Sequence, residues 1–148
     1  MDTKDHEGIR ENGREKEEHR RTAHSISSDI IGAALKVHTA LGPGLLESAY
    51  EACLVHELRK AGLRVFRQVV LPLLYDGIEI DQGYRIDLLV EDLVIVELKT
   101  VEVINPVHEA QIISYLKLSK KPLGLILNFK VGHMKDGIKR FVNGNNWK

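Results

Sequence analysis

Two charged residues interrupt a strand that would otherwise be apolar throughout, between Val94 and Lys99. The near-continuous apolar run is typical of a strand covered on both faces. Glu97 and Lys99 break it, and because side chains alternate along a strand, both project from one face, about 7 Å apart. Burying a carboxylate costs free energy unless a cation or hydrogen-bond donors meet it. The strand therefore predicts a partner for Glu97.

Two explanations for that partner remain open from the spacing. In the first, Lys99 forms a structural ion pair with Glu97 at the half-exposed end of an edge strand. In the second, Asp87 on the preceding strand joins Glu97 to bind a hard divalent cation through oxygen ligands, and Lys99 faces an anionic substrate.

If Asp87 and Glu97 share an ion, the register of their hairpin must place both side chains on the same face of the sheet. A two-residue turn at Glu91 and Asp92 would pair Asp87 with Val96 and leave Glu97 on the opposite face. A shared ion therefore predicts an odd loop such as 91–93, with residue 90 opposite residue 94, or a bulge in one strand.

Composition limits the class of protein. With 148 residues, the chain suits one domain with a two- or three-layer core. Its single cysteine, Cys53, excludes an internal disulfide and a Cys-rich zinc site, and a reducing cytoplasm fits best. No apolar run approaches the roughly 18 residues that cross a bilayer, and no secretory signal is recognisable at the N-terminus. We expect no membrane association.

Charge is distributed unevenly although the net charge is zero. Residues 61–111 carry four Lys/Arg against nine Asp/Glu, and residues 112–148 carry eight against one. An acidic middle beside a basic C-terminal third suits a metal-dependent site that acts on a polyanion, with lysines for the phosphates. The candidate phosphate contacts are Lys117, Lys120 and Lys121, and a merely solvated basic tail is the alternative.

Three segments are expected along the chain. Residues 1–25 form a charged arm, disordered or frayed, because they contain almost no large aliphatic residue to bury. Residues 26–142 form the folded domain, and residues 143–148 are a polar tail.

Periodicity predicts the elements of that domain. Helices are expected over about 26–41, 44–61 and 107–118, and strands over 64–75, 78–90 with a break at Gly83, 93–101 and 123–129. From Gly44 onward the order is helix, three strands, helix, strand. The apolar face of residues 30–58 could alternatively form a homodimer.

The third predicted helix carries a polar stripe. His108, Gln111 and Tyr115 fall at positions i, i+3 and i+7, beside an apolar stripe that marks the core. Gln111 and Tyr115 therefore sit at the boundary, where a cleft would be lined.

Several motifs in order produce a family resemblance. The segment G-L-L-E-S-A-Y at 44–50 resembles the motif that names the GxxExxY family. Together with Asp87, Glu97-Leu98-Lys99 and Gln111-x-x-x-Tyr115, it is similar to the PD-(D/E)XK nuclease superfamily over roughly residues 26–142. Ile86 stands where the proline of the superfamily motif would be.

The resemblance implies a fold and a chemistry. The fold would be α/β, a restriction-endonuclease-like core (α-β-β-β-α-β) with a mixed four-stranded sheet flanked by helices, preceded by one extra N-terminal helix. Asp87 and Glu97 would bind Mg²⁺ (or Mn²⁺), with the Leu98 carbonyl and Glu47 as further ligands. Lys99 would orient the attacking water, and Gln111 and Tyr115 match a motif of exonuclease-like members.

We therefore expect a metal-dependent nuclease that hydrolyses the nucleic-acid backbone, with DNA favoured over RNA. Its substrate contacts would be Gln111, Tyr115, His108 and the three lysines of the basic region. The alternative is a catalytically silent module of the same fold that binds nucleic acid or a protein partner.

Overall fold

The computed structural model describes residues 23–144 of the chain. Three α-helices occur in this part: α1 over residues 23–41, α2 over Glu47–Lys60 and α3 over Pro106–Ser119. Seven strands accompany them: β1 Val65–Val70, β2 Leu73–Tyr75, β3 Ile78–Ile80, β4 Arg85–Val90, β5 Val94–Lys99, β6 Leu123–Asn128 and β7 Ile138–Val142. The predicted disordered arm lies outside the described residues, apart from residues 23–25, which are helical.

A five-stranded mixed sheet in the order β1-β4-β5-β6-β7 forms the centre of the molecule. β5 and β6 run parallel and the other neighbours run antiparallel. The α/β fold class is confirmed, since the predicted four strands form the first four positions of this sheet. β2 and β3 pair separately as a small hairpin, because Pro72 and the break at Gly83 divide the longer strands that the sequence predicted.

Helices cover both faces of the sheet. One face packs against α1 and α2, whose side chains surround Leu88, Val96 and Leu98 of the sheet. The other packs against α3, where Ile112 and Leu116 meet Ile95 and Ile126. Both faces of β5 are therefore buried, as its apolar run predicted.

The apolar face shared by α1 and α2 belongs to the interior of the chain. Ile30, Ala34, Tyr50, Leu54 and Leu58 are fully buried in the first core cluster. These residues of the face are consequently occupied within one chain, whereas Leu35 and Leu46 of the same region are exposed.

The edge strand β7 was not predicted. Its sequence, I-K-R-F-V, continues a basic segment, and Lys139 and Arg140 are exposed. Lysine and arginine on a short edge strand discourage pairing with other chains, so the charges that suggested a tail are compatible with a strand. No helix in the described part of the chain is long and apolar enough to cross a membrane.

Candidate active site

The turn between β4 and β5 sets the register of the site. Val90 pairs with Val94, and the loop comprises residues 91–93. Glu91 and Asp92 adopt positive φ angles of 53° and 57°, and the Leu93 amide donates to the Val90 carbonyl at 3.1 Å. The predicted odd loop is confirmed. Continued along the two strands, this register places Asp87 opposite Glu97.

At the end of β4–β5 that is far from the turn, side-chain carboxylates replace main-chain carbonyls as hydrogen-bond acceptors. The last paired residues are Leu88 and Val96. Beyond them the Asp87 amide donates to Glu97 Oε1 at 3.1 Å, and the Leu98 amide donates to Asp87 Oδ2 at 2.9 Å. Each carboxylate thus spends one oxygen on a main-chain amide of the opposite strand, which fixes both side chains.

The buried position of Glu97 makes this pair electrostatically costly. Glu97 is only 4% exposed. Burial, and then the negative charge of Asp87, raise the pKa of Glu97 from 4.5 to about 9, and the positive charge of Lys99 opposes them. Two carboxyl groups this close cannot both ionise without a cation between them. The site therefore holds either a proton or a positively charged ligand.

Lys99 lies beside the carboxylates without contacting them directly. It is half-buried at the end of β5. Burial and then the charge of Asp87 raise the pKa of Glu97 and of Glu47, and the charge of Lys99 opposes that rise. Within residues 23–144, none of the ion pairs includes Lys99. The geometry thus gives no support to a direct structural ion pair between Lys99 and Glu97.

The end of β5 is held by β6. Asn128 is buried opposite Lys99. Its side chain accepts from the Val101 amide at 3.1 Å and donates to the Val101 carbonyl at 2.8 Å. The Phe129 amide also donates to the Lys99 carbonyl at 2.9 Å. These bonds fix the backbone from which Lys99 projects.

Asn128 in turn has a close neighbour in the chain that follows β6. Gly137 ends a short 3₁₀ helix, Met134–Gly137, and packs directly on the Asn128 carbonyl. A Cβ atom at position 137 would overlap that carbonyl. Only glycine fits at this position without a shift of the backbone.

Tyr50 holds the loop that places Glu47. Its hydroxyl donates to the Gly42 carbonyl and accepts from the Leu45 amide at 3.0 Å. Its ring is fully buried and stacks on Phe129 with centroids 4.5 Å apart. The loop before α2 is thereby tied to β6, which explains why a tyrosine follows three residues after Glu47.

Glu47 reaches the site from the first turn of α2. Its side chain is exposed on the outer side. Partial burial, and then the charge of Asp87, raise the pKa of Glu47, whereas Lys99 lowers it. Glu47 is therefore electrostatically coupled to both Asp87 and Lys99.

Helix α3 adds a second wall. Gln111 Nε2 donates to the Tyr115 hydroxyl at 3.1 Å. Tyr115 is 5% exposed, and burial followed by the charge of Glu97 raises its pKa. Tyr115 therefore lies near Glu97, and Gln111 is held beside Tyr115. His108 Nδ1, by contrast, accepts from the Asn105 amide at 3.1 Å and caps the helix.

The structure does not bring the predicted lysines to this site. Lys117 and Lys120 are exposed at the far end of α3, and Lys121 Nζ contacts Asp92 Oδ1 at 2.8 Å. Asp92 belongs to the turn, whereas Lys99 lies at the other end of β5. At about 3.3 Å per residue, the length of β5 separates them by roughly 16 Å.

A family model now decides the relationship. The model described as the PD-(D/E)XK nuclease superfamily matches residues 24–141. The chain belongs to the PD-(D/E)XK nuclease superfamily. Neither the search of curated proteins nor the search of solved structures returned a match.

Membership of the PD-(D/E)XK superfamily suggests a nuclease-like function and divalent-metal chemistry, so the donor set needs a direct test. Among residues 23–144, no three His, Cys, Asp or Glu side chains converge as around a metal ion. Two carboxyl groups do come together, since Asp87 and Glu97 each accept a hydrogen bond from the strand that carries the other. Paired carboxylate oxygens are the hard donors that Mg²⁺ and Mn²⁺ prefer, with water completing the sphere. The residues fit such an ion with two side-chain ligands.

Other residues that build this PD-(D/E)XK site escaped sequence reasoning. Gln68 lies on β1 across from Asp87 of β4, because the residues on either side of the two are paired. It has a φ of 51°, and its side chain donates to Glu51 Oε1 at 3.1 Å. Asn128 lies within the strand that the sequence predicts over 123–129. The contacts of both residues are with segments distant in sequence, so no local pattern marks them.

Proposed function

We propose that the protein is a metal-dependent phosphodiesterase that hydrolyses the backbone of nucleic acid. The observation that carries this proposal is the facing pair of Asp87 and Glu97, one almost fully buried, fixed by main-chain amides beside Lys99. A protein gains no stability from a buried carboxyl group placed beside a second one. Their retention is explained if a cation binds between them during function.

Asp87 and Glu97 would hold Mg²⁺ or Mn²⁺, with the Leu98 carbonyl and Glu47 as further ligands, the latter directly or through water. Bound there, the ion would polarise a phosphate oxygen and lower the pKa of a coordinated water. Glu47 is suited to the outer position, because its side chain is exposed and yet influenced by Asp87.

Lys99 would act on the substrate. Its ammonium stabilises negative charge that develops on the phosphate and orients the attacking water. The hydrogen bonds from the Asn128 side chain to the Val101 backbone, and from the Phe129 amide to the Lys99 carbonyl, keep the Lys99 backbone in place. Gln111, held by the Tyr115 hydroxyl, retains amide groups that can hydrogen-bond a phosphate oxygen or that water.

The subfamily, the preferred substrate and the cellular location are part of the proposal. We infer a GxxExxY-type nuclease from Glu47 and Tyr50, DNA as the favoured substrate over RNA, and a cytoplasmic location from the lone cysteine. His108, in the first turn of α3, would contact the substrate, whereas the three lysines at the far end of the helix would contact only nucleic acid that extends beyond the cleavage position.

A second candidate is a silent nuclease-fold module that binds nucleic acid or a protein without cleaving. The observation in its favour is that only two carboxylates converge in the described part of the chain. Such a module would bind nucleic acid through its lysines in a salt-dependent manner and would need no divalent ion.

One experiment separates the two candidates. The purified protein is incubated with end-labelled single- and double-stranded DNA and RNA, in Mg²⁺, Mn²⁺, Ca²⁺ or EDTA. We expect cleavage in Mg²⁺ or Mn²⁺ and none in EDTA. Salt-sensitive binding with no cleavage in any ion would instead establish the silent module.

A further inference from the structure

Exposed apolar side chains occur on β1 and on the hairpin that connects it to β4. Phe66, Val70, Leu74, Tyr75, Ile78 and Tyr84 are between 42% and 69% exposed. All belong to β1, to the β2–β3 hairpin or to the residue that precedes β4. Since this hairpin joins the end of β1 to the start of β4, it leaves the sheet at the end where Asp87 lies. Among these side chains, Tyr84 contacts a residue of the candidate site, Tyr115.

Tyr84 is the member of this set that reaches the carboxylate site. It stands three residues before Asp87, and its carbonyl accepts from the Leu71 amide at 2.9 Å. Its ring meets the Tyr115 ring edge-on, with centroids 6.1 Å apart and planes at 63°. Tyr115 lies near Glu97, since burial and then the charge of Glu97 raise the Tyr115 pKa. Tyr84 thus presents a fixed aromatic ring at the rim of the site, and 42% of the residue remains exposed.

A fixed, exposed ring beside a phosphodiester site suits one kind of ligand. Nucleobases stack on aromatic side chains, a contact worth about 1–3 kcal/mol per base. Stacking requires a base whose face is uncovered, which a base inside a continuous duplex does not offer. We propose that Tyr84 stacks on an unpaired base next to the phosphate bound at Asp87 and Glu97, so that the substrate is single-stranded or frayed nucleic acid. This inference rests on the proposed nuclease function.

The charge around Tyr84 supports stacking over phosphate attraction. Residues 64–85 carry three arginines and three acidic residues, so they have no net charge to attract a polyanion. The contribution of Tyr84 to binding should therefore change little with salt, unlike contacts made by lysines.

The test measures binding without turnover, with Ca²⁺ in place of Mg²⁺. A short fluorescent DNA strand is compared with strands that carry one abasic position each. Wild-type protein should lose about 5- to 150-fold in affinity at one position, the range that one stacked base provides. Tyr84→Ala should bind the intact strand that much more weakly and lose no further affinity at that position, because the stacking partner is already gone. Tyr84→Phe should behave as wild type.

Tyr75→Ala is the matched control, since Tyr75 is an exposed tyrosine of the adjacent hairpin. It should keep the abasic dependence, and all variants should bind a blunt duplex equally. If Tyr84→Ala does not fold by thermal unfolding, Tyr84→Leu keeps an apolar side chain and still removes the ring. The inference is overturned if the variant without the ring retains the wild-type abasic dependence, or if it weakens duplex binding equally.

These outcomes differ from those that test hydrolysis. Position-specific stacking by a protein that never cleaves in Mg²⁺ or Mn²⁺ would defeat the proposed hydrolysis and leave the stacking contact established. Cleavage of duplex and single strand at equal rates, unchanged in Tyr84→Ala, would defeat the stacking inference alone.

Discussion

The two ends of the β4–β5 hairpin are built from the same strands in opposite ways. At the turn end, Val90 and Val94 are fully buried and main-chain hydrogen bonds pair the strands. At the other end, Asp87 and Glu97 place carboxylates where those bonds would continue. One end is a conventional apolar core, and the other brings two carboxyl groups together, with Glu97 buried and Asp87 half-buried.

The difference shows how this fold makes a reactive site from regular strands. The apolar end supplies the packing that holds both strands in place, and the carboxylate end uses that rigidity to keep repelling groups together. Stability is gained at the first end and given up at the second, a distribution common to functional sites. Predictions follow for each group at the carboxylate end.

The largest effect is expected from neutralising the carboxylates. Glu97→Gln or Asp87→Asn keeps an oxygen for the opposite amide and removes a ligand charge. We expect Mg²⁺-dependent cleavage to fall more than about a hundredfold. Mutation of residues that only hydrogen-bond metal ligands already costs about 10- to 100-fold in activity, and a ligand should matter more. Thermal stability should stay equal or rise, because the repulsion is relieved. Initial rates, with calorimetry for metal affinity, measure both.

Asp92→Asn is the control for this pair, since it neutralises a carboxylate at the turn end of the same hairpin. Its exposed contact with Lys121 is worth at most about 1 kcal/mol, and cleavage should be unchanged. Near-wild-type cleavage by Glu97→Gln or Asp87→Asn would end the metal-site assignment.

Lys99→Ala should have a smaller and more selective effect. We expect kcat to fall by about 10²–10³, the usual cost of removing one group that stabilises transition-state charge. Metal affinity should change little, because the ammonium acts on the substrate. Lys99→Arg should restore activity only in part, since guanidinium differs in shape. Metal affinity and rate falling together would make Lys99 a structural counter-ion instead.

Without metal, the stability of the fold rather than the rate of cleavage should depend on pH. The pKa of Glu97 is raised to about 9 in the folded protein, so between about pH 4.5 and 9 the folded state keeps a proton that the unfolded chain releases. Stability should therefore fall as pH rises through this window, by up to about 1.4 kcal/mol per pH unit. Glu97→Gln lacks this contribution.

The comparison of wild type with Glu97→Gln in EDTA isolates the Glu97 contribution from other titrating groups. Urea unfolding at several pH values gives the two slopes. Mg²⁺ should stabilise wild type increasingly at higher pH, because it displaces the proton. Parallel slopes for the two proteins would show that Glu97 is ionised in the metal-free fold.

Sequence reasoning succeeded where the pattern was local or followed from strand parity. The alternation in β5 and the odd loop at 91–93 required only chain geometry, and both are present. The strand β7 was missed because its lysine and arginine masked a short edge strand. Asn128 and Tyr50 were missed as supports because their partners, Val101 and Phe129, are distant along the chain.

The placement of the basic residues failed for a similar reason. Composition could show that residues 112–148 are basic, but it carries no direction. Which end of the sheet a lysine occupies depends on the parallel pairing of β5 with β6. That pairing places Leu123 opposite Val94 and sends the lysines just before it to the turn.

The contact between Gly137 and the Asn128 carbonyl has a consequence for inheritance. A substitution at position 137 cannot be accommodated locally, so its displacement passes through Asn128 to the backbone that carries Lys99. Position 137 stands almost forty residues from Lys99 in the sequence, in a segment without catalytic groups of its own. Alleles that change this buried glycine should resemble defects of the active site more than defects of the short 3₁₀ helix in which they occur.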